Sequence, residues 1–271
     1  VTSATTAGGG FTRAFAAVLT SADGGRAFVK AALAGSSEAF AYAREAAVTA
    51  ALPAGVPAPR LRWTLSTAGY FVSCTDAVDG HVPGLPWSRA ELDAAVGAWQ
   101  LAAAALTPPP DTVPYLPELS DVVRSDLSCW TRGPVPGVPD WADRRWRELQ
   151  DLERALPDLV VAGGMLHGDL RIDNVLIDSA GAAWLCDWSW PCLGPAWFDT
   201  VTLLITAYAS GLDVEEHLVG APAAGVDGAL AALSGCWLTG ATEGTPEIQA
   251  HQRFSGLTAL SWLAARRGWL P

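Results

Sequence analysis

The spacing of apolar positions changes near residue 80. Before that point they come in short runs broken by turn residues. Ala14 to Leu19 and Arg26 to Ala31 flank Asp23-Gly24-Gly25, a turn signal that predicts a β-hairpin. The Ala-rich stretch from Ser37 to Leu52, stopped by Pro53 and Gly55, predicts a helix. Arg60 to Thr64 and Tyr70 to Cys74 predict two further strands. The first 80 residues therefore read as a small β-rich region with one helix.

Beyond Gly80 the period becomes helical. Ser88 and Glu91 form a capping-box pattern opening a helix that runs to about Leu106, where Pro108, Pro109 and Pro110 stop it. Asp140 is positioned to cap a helix whose Leu149, Leu152 and Leu156 share a face. Thr245-Pro246 starts the last long helix, expected to turn Phe254, Leu257 and Leu260 inward and to close at Arg266-Arg267-Gly268. Two short strands, Val175 to Ile177 and Ala183 to Cys186, flank the turn Ser179-Ala180-Gly181. The apolar stretch Thr200 to Ala207 reads as a buried helix. It is far shorter than the roughly 18–20 residues that span a bilayer, so no membrane association is expected.

Composition narrows the classes. Half of the residues are hydrophobic and 17% are charged, a globular balance. The net charge of −11 argues against nucleic-acid partners, which require cationic surface, and is compatible with a cationic small-molecule ligand. The five cysteines are odd in number and lack zinc or redox-pair spacing, which predicts free thiols in a reducing compartment. The opening residues VTSATTAGGG lack the pattern of a secretory signal. A cytoplasmic location is the expectation.

The chemistry concentrates in LHGDLRIDNVLID, residues 166–178. Phosphoryl transfer needs an acceptor hydroxyl held in line and metal to neutralise phosphate charge. Asp169 offers a carboxylate to orient and deprotonate the hydroxyl. Asn174, five residues on, offers a neutral oxygen for Mg2+, and Asp187, eighteen residues on, an anionic one. Arg171 adds positive charge beside them. His167 reads as a buried hydrogen-bonding residue that fixes the loop rather than as a base.

These residues resemble the aminoglycoside phosphotransferase and choline kinase superfamily, relatives of the protein kinases. HGDLRIDN matches the HGD-x-x-x-x-N catalytic loop, and CDWSWPCLGPAWFD, residues 186–199, is similar to the family's metal-binding segment. The resemblance implies an α+β, bilobal protein-kinase-like fold. It expects a β-rich nucleotide-binding lobe over residues 1–79 and a larger, mostly helical lobe over 80–271. Asp169 becomes the catalytic residue, Asn174 and Asp187 the metal ligands, and Asp199 a brace beneath the catalytic loop. Ser189 departs from the family, where an acidic residue is common, and Pro195 and Thr200 are also unusual.

The same resemblance assigns the amino-terminal half. Lys30, the only lysine in the chain, matches the lysine that contacts the α- and β-phosphates. Glu45 matches its helix partner, with Glu38 as competitor. Gly9 and Gly10, in the run Gly8 to Gly10, match a loop over the phosphates. Asp76 and Val78, in FVSCTDAVDG, fall where main-chain groups meet the purine. Implied partners are ATP or GTP, Mg2+ and a small-molecule acceptor, with aminoglycoside-like amines or sugars first and choline or homoserine as the alternative. A nucleotide-binding pseudokinase is the non-catalytic rival. Trp190 and Trp197 stand between an acceptor-facing and a core role, Trp184 and Trp188 are expected in the core, and Asp213, Glu215 and Glu216 stand between an acidic rim and a helix start.

Overall fold

The computed structural model describes residues 1–6, 14–113, 115–161 and 163–269. The glycine run, with Gly9 and Gly10, lies outside them. In chain order the elements are β1 (Ser3–Thr6), β2 (Phe15–Thr20), β3 (Arg26–Leu33), α1 (Ser37–Ala51), β4 (Leu61–Thr67), β5 (Tyr70–Asp76), β6 (Gly80–His81) and α2 (Arg89–Ala105). Then come α3 (Leu119–Ser125), α4 (Cys129–Arg132), α5 (Asp140–Asp143), α6 (Trp146–Leu159), β7 (Gly164–Leu166), β8 (Val175–Asp178), β9 (Ala183–Leu185) and β10 (Cys192–Gly194). The chain closes with α7 (Trp197–Ala209), α8 (Ala223–Gly240) and α9 (Pro246–Arg267).

Two compact units form. The first comprises Val1–Gly84, Ser88–Leu116 and His167–Pro191. Its main sheet is antiparallel, in the order β1-β2-β3-β5-β4. The expected hairpin is β2–β3, pairing Thr20 with Arg26 across the predicted turn. β1 has no apolar alternation and is exposed throughout, so nothing in its pattern announced it. α1 begins where Ser36 accepts a hydrogen bond from the Ala39 N–H. Its buried positions Ala39, Tyr42, Ala46 and Thr49 recur at helical spacing and face β3 and β5. A second, three-stranded sheet runs β6-β8-β9, and α2 packs on it through Leu92, Val96 and Trp99. The capping box forms, with the Ser88 Oγ accepting from the Glu91 N–H at 3.2 Å.

The second unit comprises Leu85–Trp87, Pro117–Leu166 and Cys192–Pro271. α8 is its axis, buried without a break from Gly225 to Gly235 and flanked by α6 and α9. The predicted buried helix is α7, whose residues from Phe198 to Ala207 are all buried. Glu153 on α6 is 1% exposed and caps α4 from a distance, accepting from the Trp130 and Thr131 N–H groups at 2.9 and 2.8 Å. Burial pushes its pKa up.

Two expectations are corrected here, and one open alternative narrows. Asp140 does not cap the long helix: Pro139, with extended backbone, precedes the short α5, and α6 begins separately at Trp146. Phe254 and Leu257 are 40% and 37% exposed, while Leu260 is fully buried. The buried stripe of α9 runs through Ser255, Gly256 and Ala259, small residues that let helices approach closely. The bulky pair is left on the rim of an open groove beside Tyr208 and Leu212. Glu215 is not a free rim acid. It ion-pairs with Arg266 and accepts a hydrogen bond from the Trp262 Nε1–H at 2.8 Å.

Arg266 also pairs with Asp227 at 2.8 Å, and Arg267 joins at 3.3 Å, tying α9 to α8. The Asp227 and Arg266 side chains are mostly buried, so removing one leaves the other charge poorly solvated. No helix among the described residues is long and apolar enough to cross a membrane. Replacing Arg266 by Ala is expected to lower unfolding stability by about 3 kcal/mol in urea titration. An unchanged midpoint would show that the cluster is not a structural tie.

Candidate active site

Lys30 occupies the centre of β3, where register sets it opposite Ser73 on β5 and Ala16 on β2. Its ammonium donates to both oxygens of Glu45, at 2.8 and 2.7 Å, and lies 3.5 Å from the Asp187 carboxylate. Glu38 instead turns to the α1 start, accepting from Ser37 Oγ at 3.1 Å. Burial alone would lower the Lys30 pKa, but the carboxylates of Glu45 and Asp187 outweigh it and hold it above the ordinary lysine value. The ammonium is thus held charged, while burial pushes the Glu45 pKa up against the pull of Lys30.

Asp187 stands two residues beyond the end of β9, at a φ of 62° that a non-glycine residue rarely adopts. The preceding residue is anchored by the Cys186 N–H, which donates to the Asn174 carbonyl at 2.8 Å. Ser189 donates to the Asp187 carboxylate. Burial works against the Asp187 charge, yet Lys30 and Ser189 hold its pKa below the usual carboxylate value. Arg44, one residue before Glu45, donates to the Pro191 carbonyl at 3.4 Å, so α1 touches the far end of this loop.

His167, Asp169, Arg171 and Asn174 are tied together on the neighbouring loop. His167 is wholly buried, donates through Nε2 to the Cys186 carbonyl at 2.8 Å and accepts the Asp169 N–H at Nδ1, 3.4 Å away. Its ring packs on Trp188 at 4.6 Å. Burial depresses its pKa to about 4, so the imidazole is neutral and its two nitrogens are occupied in holding the loop. Gly168 has a φ of 81°, and a Cβ there would lie 1.8 Å from the Trp190 carbonyl. Only glycine admits this approach of two loops.

Asp169 is the next residue. Burial pushes its pKa up to about 7, against the opposing pull of Arg171. Arg171 reaches the Asp169 carboxylate at 3.3 Å and the Asp173 carboxylate at 3.0 Å, which spreads its charge over two acids. The Asn174 amide donates to the Asp169 carbonyl at 2.7 Å and lies 3.4 Å from its carboxylate. With its nitrogen so committed, Asn174 has its amide oxygen left to offer, and Asp187 is held anionic. Two oxygen donors of this kind suit Mg2+, which takes one or two protein ligands and completes its shell with phosphate and water. Among the described residues no group of three or more His, Cys, Asp or Glu gathers as a metal cage.

Asp76 ends β5, ion-pairs with Arg62 at 2.7 Å and donates its N–H to the Arg60 carbonyl at 2.9 Å. Val78 is half-buried in the segment between β5 and β6. Asp199 is fully buried in the first turn of α7, in the second unit. Trp188 is core, and Trp184 is half-buried with its indole N–H on Asp178 at 2.9 Å. Trp197 is half-buried against Phe198, whereas Trp190 is 64% exposed. The contributions of Asp173, Ser189, Arg44 and the Cys186 carbonyl were not anticipated. Of these only Asp173 had a sequence signal, as an acid two residues from Arg171.

The model of the phosphotransferase enzyme family matches residues 4–234. The chain belongs to that family and is a small-molecule kinase. No curated protein sequence matches it. Solved structures share the fold. One is an aminoglycoside phosphotransferase of type APH(4)-Ia in ternary complex with ADP and hygromycin B, at 14% identity and TM-score 0.65, covering 96% of this chain and 94% of that one. Another is choline kinase LicA from Streptococcus pneumoniae, at 14% identity and TM-score 0.63, covering 97% and 93%. A third is a type VIII aminoglycoside-3'-phosphotransferase, at 23% identity and TM-score 0.52, covering 95% and 93%. The α+β, protein-kinase-like fold expected from the motifs is therefore the fold of the chain.

Gly168→Ala is the sharpest local test. The added methyl forces the 167–169 turn away from Trp190, and the positive φ adds strain of about 1–3 kcal/mol. Phosphotransfer should fall at least about 100-fold, since small displacements of a positioned group cost that much. A variant with parental turnover would contradict the geometry.

Proposed function

We propose that the protein transfers the γ-phosphoryl group of ATP, or of GTP, to a hydroxyl of an amine- or sugar-bearing small molecule of the aminoglycoside type, in the cytoplasm. The observation that carries the proposal is the gathering within one compact unit of Lys30, Glu45, Asp187, Asn174 and Asp169, each held by partners of its own. Residues 1–79 supply the nucleotide side, with Lys30 as the phosphate contact and Asp76 and Val78 near the purine. Residues 80–271 supply the catalytic loop, the metal ligands and the acceptor side.

In this reading Lys30, neutralised in part by Glu45, binds the α- and β-phosphates. Asn174 and Asp187 hold Mg2+, which when bound offsets the charge on the phosphates. Asp169 accepts the proton of the acceptor hydroxyl and fixes its direction. A carboxylate with its proton affinity raised toward neutrality suits that role. Arg171 keeps Asp169 from losing its charge altogether. Trp190, exposed on the segment that covers Gly168, offers a ring face to whatever binds at Asp169.

Choline kinase among the structural relatives keeps an alkylammonium acceptor as the second reading, which the same exposed Trp190 would suit. The test is a panel of aminoglycosides, other hydroxylated amines and sugars, incubated with Mg2+ and ATP or GTP, with mass spectrometry for a phosphorylated product. Asp169→Asn should reduce turnover by about 1,000-fold or more, and parental turnover in that variant would remove Asp169 from the reaction. Trp190→Ala should raise the acceptor KM by about 2- to 10-fold with kcat little changed. An unchanged KM would place Trp190 outside the acceptor site.

A further inference from the structure

Cys129 opens α4 and Cys236 lies on α8, two elements that pack together in the second unit. No sequence spacing connects them, yet their thiols share a side-chain hydrogen bond. The approach depends on the residue before Cys236. A Cβ on Gly235 would lie 2.7 Å from the Trp130 ring and 3.3 Å from Cys129 Cβ, so glycine lets α4 settle onto the α8 backbone. Glu153 caps α4 and the Trp130 indole donates to the Ala231 carbonyl at 2.8 Å, so the pairing is held rigidly from both sides.

The two thiols differ in character. Cys236 and burial act on Cys129 in opposite senses, and with the Thr239 hydroxyl the balance brings its pKa down to about 7. The Cys236 thiol is pushed up by Cys129 and by burial. Both residues are partly exposed. The other cysteines are poorer candidates: Cys74 and Cys192 are buried, and burial pushes Cys186 up to about 12. One thiolate-forming sulfur beside one protonated sulfur is the arrangement of an attacking and a resolving thiol.

We infer that Cys129 and Cys236 form a peroxide-responsive thiol pair, in which Cys129 is oxidised first and Cys236 resolves it to a reversible disulfide between α4 and α8. The Cys129 thiolate attacks one peroxide oxygen, the O–O bond breaks, and the product is Cys129 sulfenic acid and hydroxide. The Cys236 sulfur then attacks the Cys129 sulfur and water leaves, carrying the Cys236 proton with it. In sum two thiols lose two electrons and two protons, and one hydrogen peroxide becomes two waters. The cross-link closes a loop of about a hundred residues and so restricts the unfolded chain.

The test treats the reduced full-length chain with hydrogen peroxide, followed by thiol counting and peptide mapping without reductant. The expected result is loss of two of the five thiols, a linked peptide pair containing Cys129 and Cys236, and a melting temperature several degrees higher, all reversed by dithiothreitol. Cys236→Ser should stop at a sulfenic acid on Cys129 that a dimedone probe captures. Cys129→Ser should keep its four thiols under the same dose. Five thiols surviving in the parent, a linked pair involving Cys74, Cys186 or Cys192, or oxidation of Cys129→Ser at the parental rate would each overturn the inference.

Discussion

Lys30 holds two carboxylates at once, Glu45 from α1 and Asp187 from the loop after β9, and the order of the first unit converges on that bridge. A lone buried ammonium would shed its proton, and either carboxylate alone would be expensive to desolvate. Together they hold Lys30 above its ordinary pKa and Asp187 below its own, while Lys30 offsets part of the burial that pushes Glu45 up. The bridge also fixes geometry. It joins the centre of a β-strand to the helix packed on that sheet and to a residue in left-handed backbone.

The loop of Asp169 is tied to the same point by a different device. His167 lies on the carbonyl of Cys186, the residue before Asp187, and Asn174 receives the Cys186 N–H on its carbonyl. Both peptide groups around Cys186 are therefore spent in holding the loop of Asp169 against the loop of Asp187. Neutral His167 is what permits this. A protonated imidazole would have no acceptor nitrogen for the Asp169 N–H, and burial keeps the proton off. Substituting this buried histidine would therefore disturb positioning rather than remove a base.

Much of this was legible before any coordinates. Short periodicities and turn chemistry placed β2, β3, α1 and the β8–β9 hairpin, because each is set by local signals. The spacing of Asp169, Asn174 and Asp187 was legible because the catalytic loop is short and β8 and β9 are joined by a tight turn. Contacts that depend on tertiary packing were not. β1 carries no apolar alternation, and α4 is capped by Glu153, more than twenty residues away along the chain. The inward face of α9 was misjudged because small residues, not large ones, make its closest packing. The thiols of Cys129 and Cys236 come together through α4 and α8, which no sequence spacing encodes. Ser189, standing where an acid is common in the family, still donates to Asp187, so the departure preserves a partner for the proposed metal ligand.

The central claim is that the Lys30 bridge and its two oxygen donors form a Mg2+-dependent nucleotide site. Calorimetric titration of the full chain with ATP, with Mg2+ and with a chelator, reads that directly. The account predicts binding that weakens at least about tenfold when Mg2+ is removed, and an Asp187→Ala variant whose residual binding no longer responds to Mg2+. ATP binding of equal strength with and without Mg2+, or an Asp187→Ala variant with the parental Mg2+ response, would contradict it.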